Sequence, residues 1–105
     1  MIDRTMKVNF DYRTHPLIGK WRSTLAEYDD VVYEVVGLKS KLKVSGIDES
    51  DGEKFVISDI QHDEVSLSFT SLMPSTNWEV SHRMYLKGKK SVVHEFTKIE
   101  IWKRL

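Results

Sequence analysis

The stretch that decides the fold is residues 77–104, NWEVSHRMYLKGKKSVVHEFTKIEIWKR. Its first half alternates, with every second residue apolar or a histidine: Trp78, Val80, His82, Met84 and Leu86. A period of two is typical of a β-strand with one buried face. Gly88 follows, and glycine suits the first central position of a two-residue type II′ turn. The stretch therefore predicts a β-hairpin.

The turn at Gly88 also predicts the register of this hairpin, with His82 directly opposite Glu95. On the outer face Glu79 would then meet Lys98. This pair of opposite charges favours the register over a slip by one residue, which would turn Lys98 inward. The inner face is expected to be apolar except for a polar cluster halfway along it: His82, Glu95 and Thr97.

The rest of the chain repeats the same period and is punctuated by tight turns. Strands are predicted over residues 17–24, 31–38, 41–48, 53–60 and 65–70. Residues 1–16 form either a first strand or an amino-terminal arm, and residues 17–105 form a single domain. Closing the sheet would remove its two exposed edges. The predicted fold is therefore all-β, an antiparallel up-and-down barrel of seven to eight strands, with a two-sheet sandwich as the alternative.

One apolar surface is expected on the outside of this barrel. A turn at His62 and Asp63 would pair Val56 with Phe69 on the inner face. Three apolar residues are then left together on the outer face: Ile47, Phe55 and Ile57. A monomer seldom exposes a large apolar patch, so this surface predicts a homo-oligomer. The alternative is that the amino-terminal arm covers the patch.

Composition excludes several classes of protein. The 105 residues carry no net charge and show no basic face, which argues against binding to nucleic acid. No apolar run approaches the ~20 residues that cross a bilayer, and no cysteine is present. The four histidines lack the short spacing of zinc sites, and His94 is expected to point outward. We therefore expect a cytoplasmic protein without a cofactor, a nucleic-acid partner or a membrane partner.

Gly19, Lys20 and Trp21 on the first firm strand, with Arg104 after the last, resemble the calycin superfamily. This group includes lipocalins and fatty-acid-binding proteins, and the chain looks most like its short bacterial cytoplasmic members. The resemblance implies that Trp21 plugs the closed end of a barrel and that Arg104 lies across its indole. It also implies a lumen that holds a small, often apolar molecule. The helical lid and the carboxyl-terminal helix of those families are missing here.

The leading functional interpretation is a binding module for a small, partly apolar ligand in the lumen. Six residues are the candidates for contacting that ligand: His82, Glu95, Thr97, Trp78, Met84 and Phe69. Two alternatives remain open at this stage. A packed barrel could act by associating with itself or with a partner protein, and a small enzyme could use His82 and Glu95 as a proton-transfer pair.

Overall fold

The computed structural model describes residues 10–23, 30–87, 91–99 and 103–104. A short 3-10 helix, Tyr12–Thr14, comes first. The eight strands that follow are β1 Gly19–Arg22, β2 Val31–Gly37, β3 Leu42–Asp48, β4 Glu53–Lys54, β5 Val56–His62, β6 Ser66–Met73, β7 Trp78–Lys87 and β8 Ser91–Ile99. Within these residues no helix has the length and apolar character needed to cross a bilayer.

The strands form two antiparallel four-stranded sheets, β1–β2–β3–β4 and β5–β6–β7–β8. Every ladder joins strands that are neighbours in the chain. The chain passes from one sheet to the other at Phe55, whose N–H donates to the carbonyl of Gly46 at 2.9 Å. The all-β, antiparallel prediction is confirmed. The predicted closure is not found, because no ladder joins β1 to β8 among the residues described.

One apolar core lies between the two sheets. The first sheet and the segment before it contribute Leu17, Val35 and Leu42. The second sheet contributes Leu67, Phe69 and Met84. Fully burying a side chain of this size is worth roughly 1.5–3 kcal/mol, so the packing of the two sheets against each other contributes strongly to the stability of the fold.

The predicted register of the β7–β8 hairpin is wrong by one residue. His82 faces Phe96, not Glu95, and Arg83 faces Glu95 with 3.6 Å between its Nη1 and the carboxylate. The observed register thus has its own pair of opposite charges on the outer face. Lys98 lies on the same face of β8 as Phe96 but stays exposed, and its ammonium lies over the ring of Trp78, 5.2 Å from the centroid. This cation–π contact offsets part of the free-energy cost of placing Lys98 on this face, which was the reason for expecting the other register.

Glu95 provides a direct check of this register. Because its carboxylate and Arg83 are both well exposed, Glu95→Gln should change the free energy of unfolding by less than about 1 kcal/mol. Urea denaturation at neutral pH measures the difference. A loss of several kcal/mol would instead fit a buried carboxylate opposite His82.

The predicted register of β5 is also wrong, because Val56 pairs with Leu72 and Leu67 pairs with His62. Val56 is 53% exposed, while Ile57 packs against the core. A bulge between Ser58 and Gln61, where Asp59 has a φ of 51°, inserts extra backbone into the strand. Because a bulge shifts the alternation, side chains on either side of it can face the same way.

The predicted outer patch is changed by this shift. Ile57 leaves it for the core. The ring of Phe55 lies 5.8 Å from that of Tyr33, and Ile47 is half-buried opposite Val32. Association through the patch remains a prediction without Ile57.

The structure describes only residues 10–16 of the predicted amino-terminal strand or arm. Residues 1–9 lie outside the part that the structure describes. Tyr12 begins the 3-10 helix, and Asp11 caps it by accepting a bond from the N–H of Arg13 at 3.0 Å. The N–H of Tyr12 donates to the carbonyl of Lys39 at 3.3 Å, which ties the helix to the end of β2.

Candidate functional site

A chain of hydrogen-bonded side chains runs from the core to the surface. Tyr33 Oη lies 3.1 Å from Ser71 Oγ, and Ser71 Oγ lies 2.8 Å from His82 Nε2. On the other side of the ring, His82 Nδ1 lies 2.9 Å from Nε2 of His94. Ser71 and His82 are each 4% exposed, whereas His94 is exposed. We call these four residues the His82 relay.

The two sheets build the His82 relay together. Ser71, His82 and His94 come from β6, β7 and β8 of the second sheet, and Tyr33 reaches across from β2 of the first. Tyr33 has room because it faces Gly46. A Cβ at Gly46 would come within 2.7 Å of the Tyr33 ring and 2.9 Å of the Phe55 ring. Because Gly46 has no side chain, the Tyr33 phenol can occupy this position.

The His82 relay can carry its hydrogens in either direction. A neutral imidazole has one N–H donor and one acceptor nitrogen, and a hydroxyl both donates and accepts. Tyr33 can donate to Ser71, which donates to His82, which donates to His94. The reverse order satisfies the same atoms at the same distances. A change at His94 can thus be passed to Tyr33 without moving a heavy atom.

Burial keeps the titratable members of the relay uncharged. It lowers the pKa of His82 to about 3, and the neighbouring His94 lowers this pKa further. The pKa of His94 is also lowered by burial, since part of its ring is shielded from water although the side chain has an exposed edge. The pKa of Tyr33 is raised by burial, with the bond to Ser71 acting the other way. All three groups are neutral at pH 7.

Aromatic rings surround the two histidines. Phe69 stacks on His82 with 4.5 Å between centroids, and Tyr33 meets the same ring edge-on at 4.8 Å. Phe96 lies 5.7 Å from His94 and is 50% exposed. The relay therefore ends at a partly apolar surface made by His94 and Phe96.

The structure brings together half of the six predicted site residues: His82, Phe69 and Met84. Glu95 and Thr97 lie on the opposite face of β8, paired with Arg83 and Ser81. Trp78 is 42% exposed at the start of β7. The pair of His82 and Glu95 on which the enzyme interpretation depended does not form, and burial lowers the pKa of His82. The ligand-binding roles themselves stay predictions.

Sequence reasoning missed the other three members of the relay: Tyr33, Ser71 and His94. His94 was expected to face outward because of the one-residue error in register. The predicted strand over residues 65–70 ends just before Ser71, although Ser71 continues the alternation of Leu67 and Phe69. Extending the predicted strand over residues 65–70 by one residue places the Ser71 hydroxyl on the face that carries Leu67 and Phe69. No local pattern indicated Tyr33, because its partner lies in the other sheet.

A second pair of histidines has a structural role. His15 Nε2 donates to the carbonyl of Asp63 at 2.7 Å, and its Nδ1 accepts from the N–H of Leu17 at 3.1 Å. His62 Nε2 accepts from the N–H of Leu42 at 3.4 Å, and no partner is found for its buried Nδ1 in the part of the chain described. Among those residues no group of three or more His, Cys, Asp or Glu side chains could hold a metal ion.

The geometry of the His82 relay is the evidence from which a function can be inferred. It joins both sheets and reaches the surface at a single histidine. No protein-family model, curated protein or solved structure matches this chain.

Proposed function

We propose that the protein is a binding module for a small, partly apolar ligand, which it contacts through His94 and Phe96. The observation that carries the proposal is the relay from buried Tyr33 to exposed His94. Buried polar networks are costly unless every member is bonded, and this one ends on a residue that can bond outward. That residue is His94: its Nε2 bonds with His82, so its Nδ1 is left for a ligand.

The chemistry of the surface indicates what kind of ligand fits. His94 is neutral at pH 7, so it suits a hydroxyl, carbonyl or amide better than it suits an anion that needs a full positive charge. Because the relay can reverse, Nδ1 can meet either a donor or an acceptor. Phe96 offers half of its surface to an apolar or planar part of the same ligand.

The finer fold belongs to the same proposal: a calycin-like barrel whose lumen opens near His94. Trp21 on β1 supports it, since its Nε1 donates to the carbonyl of Leu17 at 2.8 Å and its ring packs against the core. That position suits the plugging role which the resemblance implies. Within each sheet, every ladder joins strands that are neighbours in the chain, which is also what an up-and-down barrel requires.

A fluorescent probe with one hydroxyl, 1-naphthol, tests the site. Phe96→Ala should weaken its binding at least fivefold, or about 1 kcal/mol, because the apolar contact is lost. His94→Phe should weaken it similarly by removing the hydrogen bond. Val56→Ala is the matched control, since Val56 is equally exposed but lies on another strand. Equal binding by all three variants, or none by the wild type, would contradict the proposal.

Native mass spectrometry on protein from its own host adds an independent check. One spectrum gives the number of subunits and the mass of anything carried along without a covalent bond. A bound small molecule that disappears in Phe96→Ala is the expected result. A dimer with nothing bound would favour self-association through Ile47 and Phe55 instead.

A further inference from the structure

Nδ1 of His82 and Nε2 of His94 face each other directly. They are 2.9 Å apart, and the two ring planes differ by only 6°. One of these two nitrogens therefore carries a hydrogen, and the lone pair of the other accepts it. Two neutral imidazoles converging on one point are also what a metal ion requires, since a ligating histidine must have lost its proton there.

The far side of His82 already has the support that metal-bound histidines usually have. When Nε2–H donates to Ser71 Oγ at 2.8 Å, the lone pair is left on Nδ1, facing His94. Ser71 is held in turn by Tyr33 at 3.1 Å. Such outer hydrogen bonds fix the tautomer and the orientation of a ligating ring. His82 is thus oriented as an Nδ1 ligand.

The available donors select the class of metal. Zinc sites use three or four protein ligands, and no such group is found among the described residues. The nearest carboxylate on β8, Glu95, is on the opposite face. Met84 is buried on the face of β7 that carries His82 and is paired opposite His94. Imidazole and thioether together suit a soft ion such as Cu(I).

We propose that His82 and His94 bind one soft monovalent metal ion, Cu(I) or its analogue Ag(I), with Met84 as a supporting ligand. This goes beyond the proposed organic ligand, because it uses Nε2 of His94 and not Nδ1. When the metal ion binds, the proton on Nε2 of His94 moves through water to Nδ1 of the same ring, so binding releases no net proton. With bonds of about 2 Å, the nitrogens must separate from 2.9 Å to about 4 Å. His94 can make this movement, since it is exposed on the outermost strand of its sheet.

Titration of the whole chain with Ag⁺ in chloride-free buffer tests the site. Calorimetry and native mass spectrometry should report one tightly bound ion, and the imidazole ¹⁵N shifts of His82 Nδ1 and His94 Nε2 should change most. His94→Gln should weaken binding at least tenfold, and Met84→Leu by a smaller factor. Glu95→Gln is the control with unchanged affinity, because its side chain lies on the other face.

Three outcomes would overturn the proposal. The first is the absence of Ag⁺ binding by a folded wild type. The second is equal binding by His94→Gln, which would place the ion elsewhere in the chain. The third is a Zn²⁺ affinity that equals the Ag⁺ affinity, which would contradict the selection of a soft ion. Loss of 1-naphthol binding with Ag⁺ binding intact would reject only the organic ligand.

Discussion

Lowering the pH from 7 to 4 should cost the protein about 3 kcal/mol of folding free energy through His82 alone. The folded-state pKa of this residue is about 3, whereas the unfolded value is near 6.5. Between these values the unfolded chain binds a proton that the native protein does not. Stability therefore rises with pH across this window, is complete above pH 6.5 and is lost as the pH falls toward 3.

The surroundings of His82 explain why it resists protonation. Phe69, Tyr33 and Ser71 face it without a charge, and His94 would repel a second positive charge. No carboxylate lies opposite it, because Glu95 is on the other face of β8. Burial is therefore the main cause of the lowered pKa of His82, and no carboxylate opposite the ring offsets it.

Urea denaturation at pH 7, 5 and 4 measures this effect. His82→Gln should flatten the dependence on pH, since an amide does not titrate. His15→Gln is the useful comparison, because burial lowers the pKa of His15 as well and adds a loss of the same sign. Asp11 acts in a separate window, since its pKa falls from 3.8 to about 2. A wild-type slope in His82→Gln would contradict the assignment.

Gly37→Ala should destabilise the protein by about 3 kcal/mol or more. A Cβ at this position would overlap the carbonyl of Tyr12 and come within 2.6 Å of the Cδ1 of Ile18. Ile18 can adjust, but the carbonyl belongs to backbone that accepts a bond from the N–H of His15 at 3.2 Å. Overpacking against a fixed backbone costs at least as much as the 1–3 kcal/mol typical of an overfilled core.

Thermal or urea denaturation compares this variant with Val36→Ala, the adjacent position. Val36 is 43% exposed, so its truncation should cost less than about 1 kcal/mol. The Gly37 variant should also lose the packing of Tyr12 against His15, visible as a change in the near-ultraviolet circular dichroism. A loss below 1 kcal/mol for Gly37→Ala would show that the 3-10 helix is free to move.

The alternation of apolar residues was enough to predict most of the strands, but the one predicted over residues 53–60 is divided into β4 and β5, which lie in different sheets. Buried Leu67 and Phe69 on β6, and His82 and Met84 on β7, all lie where the period of two places them. The registers were harder to predict, because competing registers differ only slightly in free energy. The competing β7–β8 registers each offer an exposed pair of opposite charges, and such pairs are worth less than about 1 kcal/mol. The bulge at Asp59 leaves no clear mark in the sequence.

The candidate site was predicted in part, for a related reason. His82 was correctly placed among buried residues in the middle of β7. A slip by one residue then exchanged its expected partner, Glu95, for an aromatic and imidazole surface. Tyr33 could not be predicted, because its bond to Ser71 joins positions that are distant in the chain and lie in different sheets.

The order of the strands has a consequence for synthesis on the ribosome. All the ladders of the first sheet lie within residues 19–54, so it can be complete while the second is still being translated. Its apolar face, with Val35 and Leu42, stays uncovered until Phe69 and Met84 have been added to the chain. During that interval the nascent chain exposes apolar surface that is prone to aggregation. The pace of translation through residues 56–84 thus sets how long this face stays uncovered.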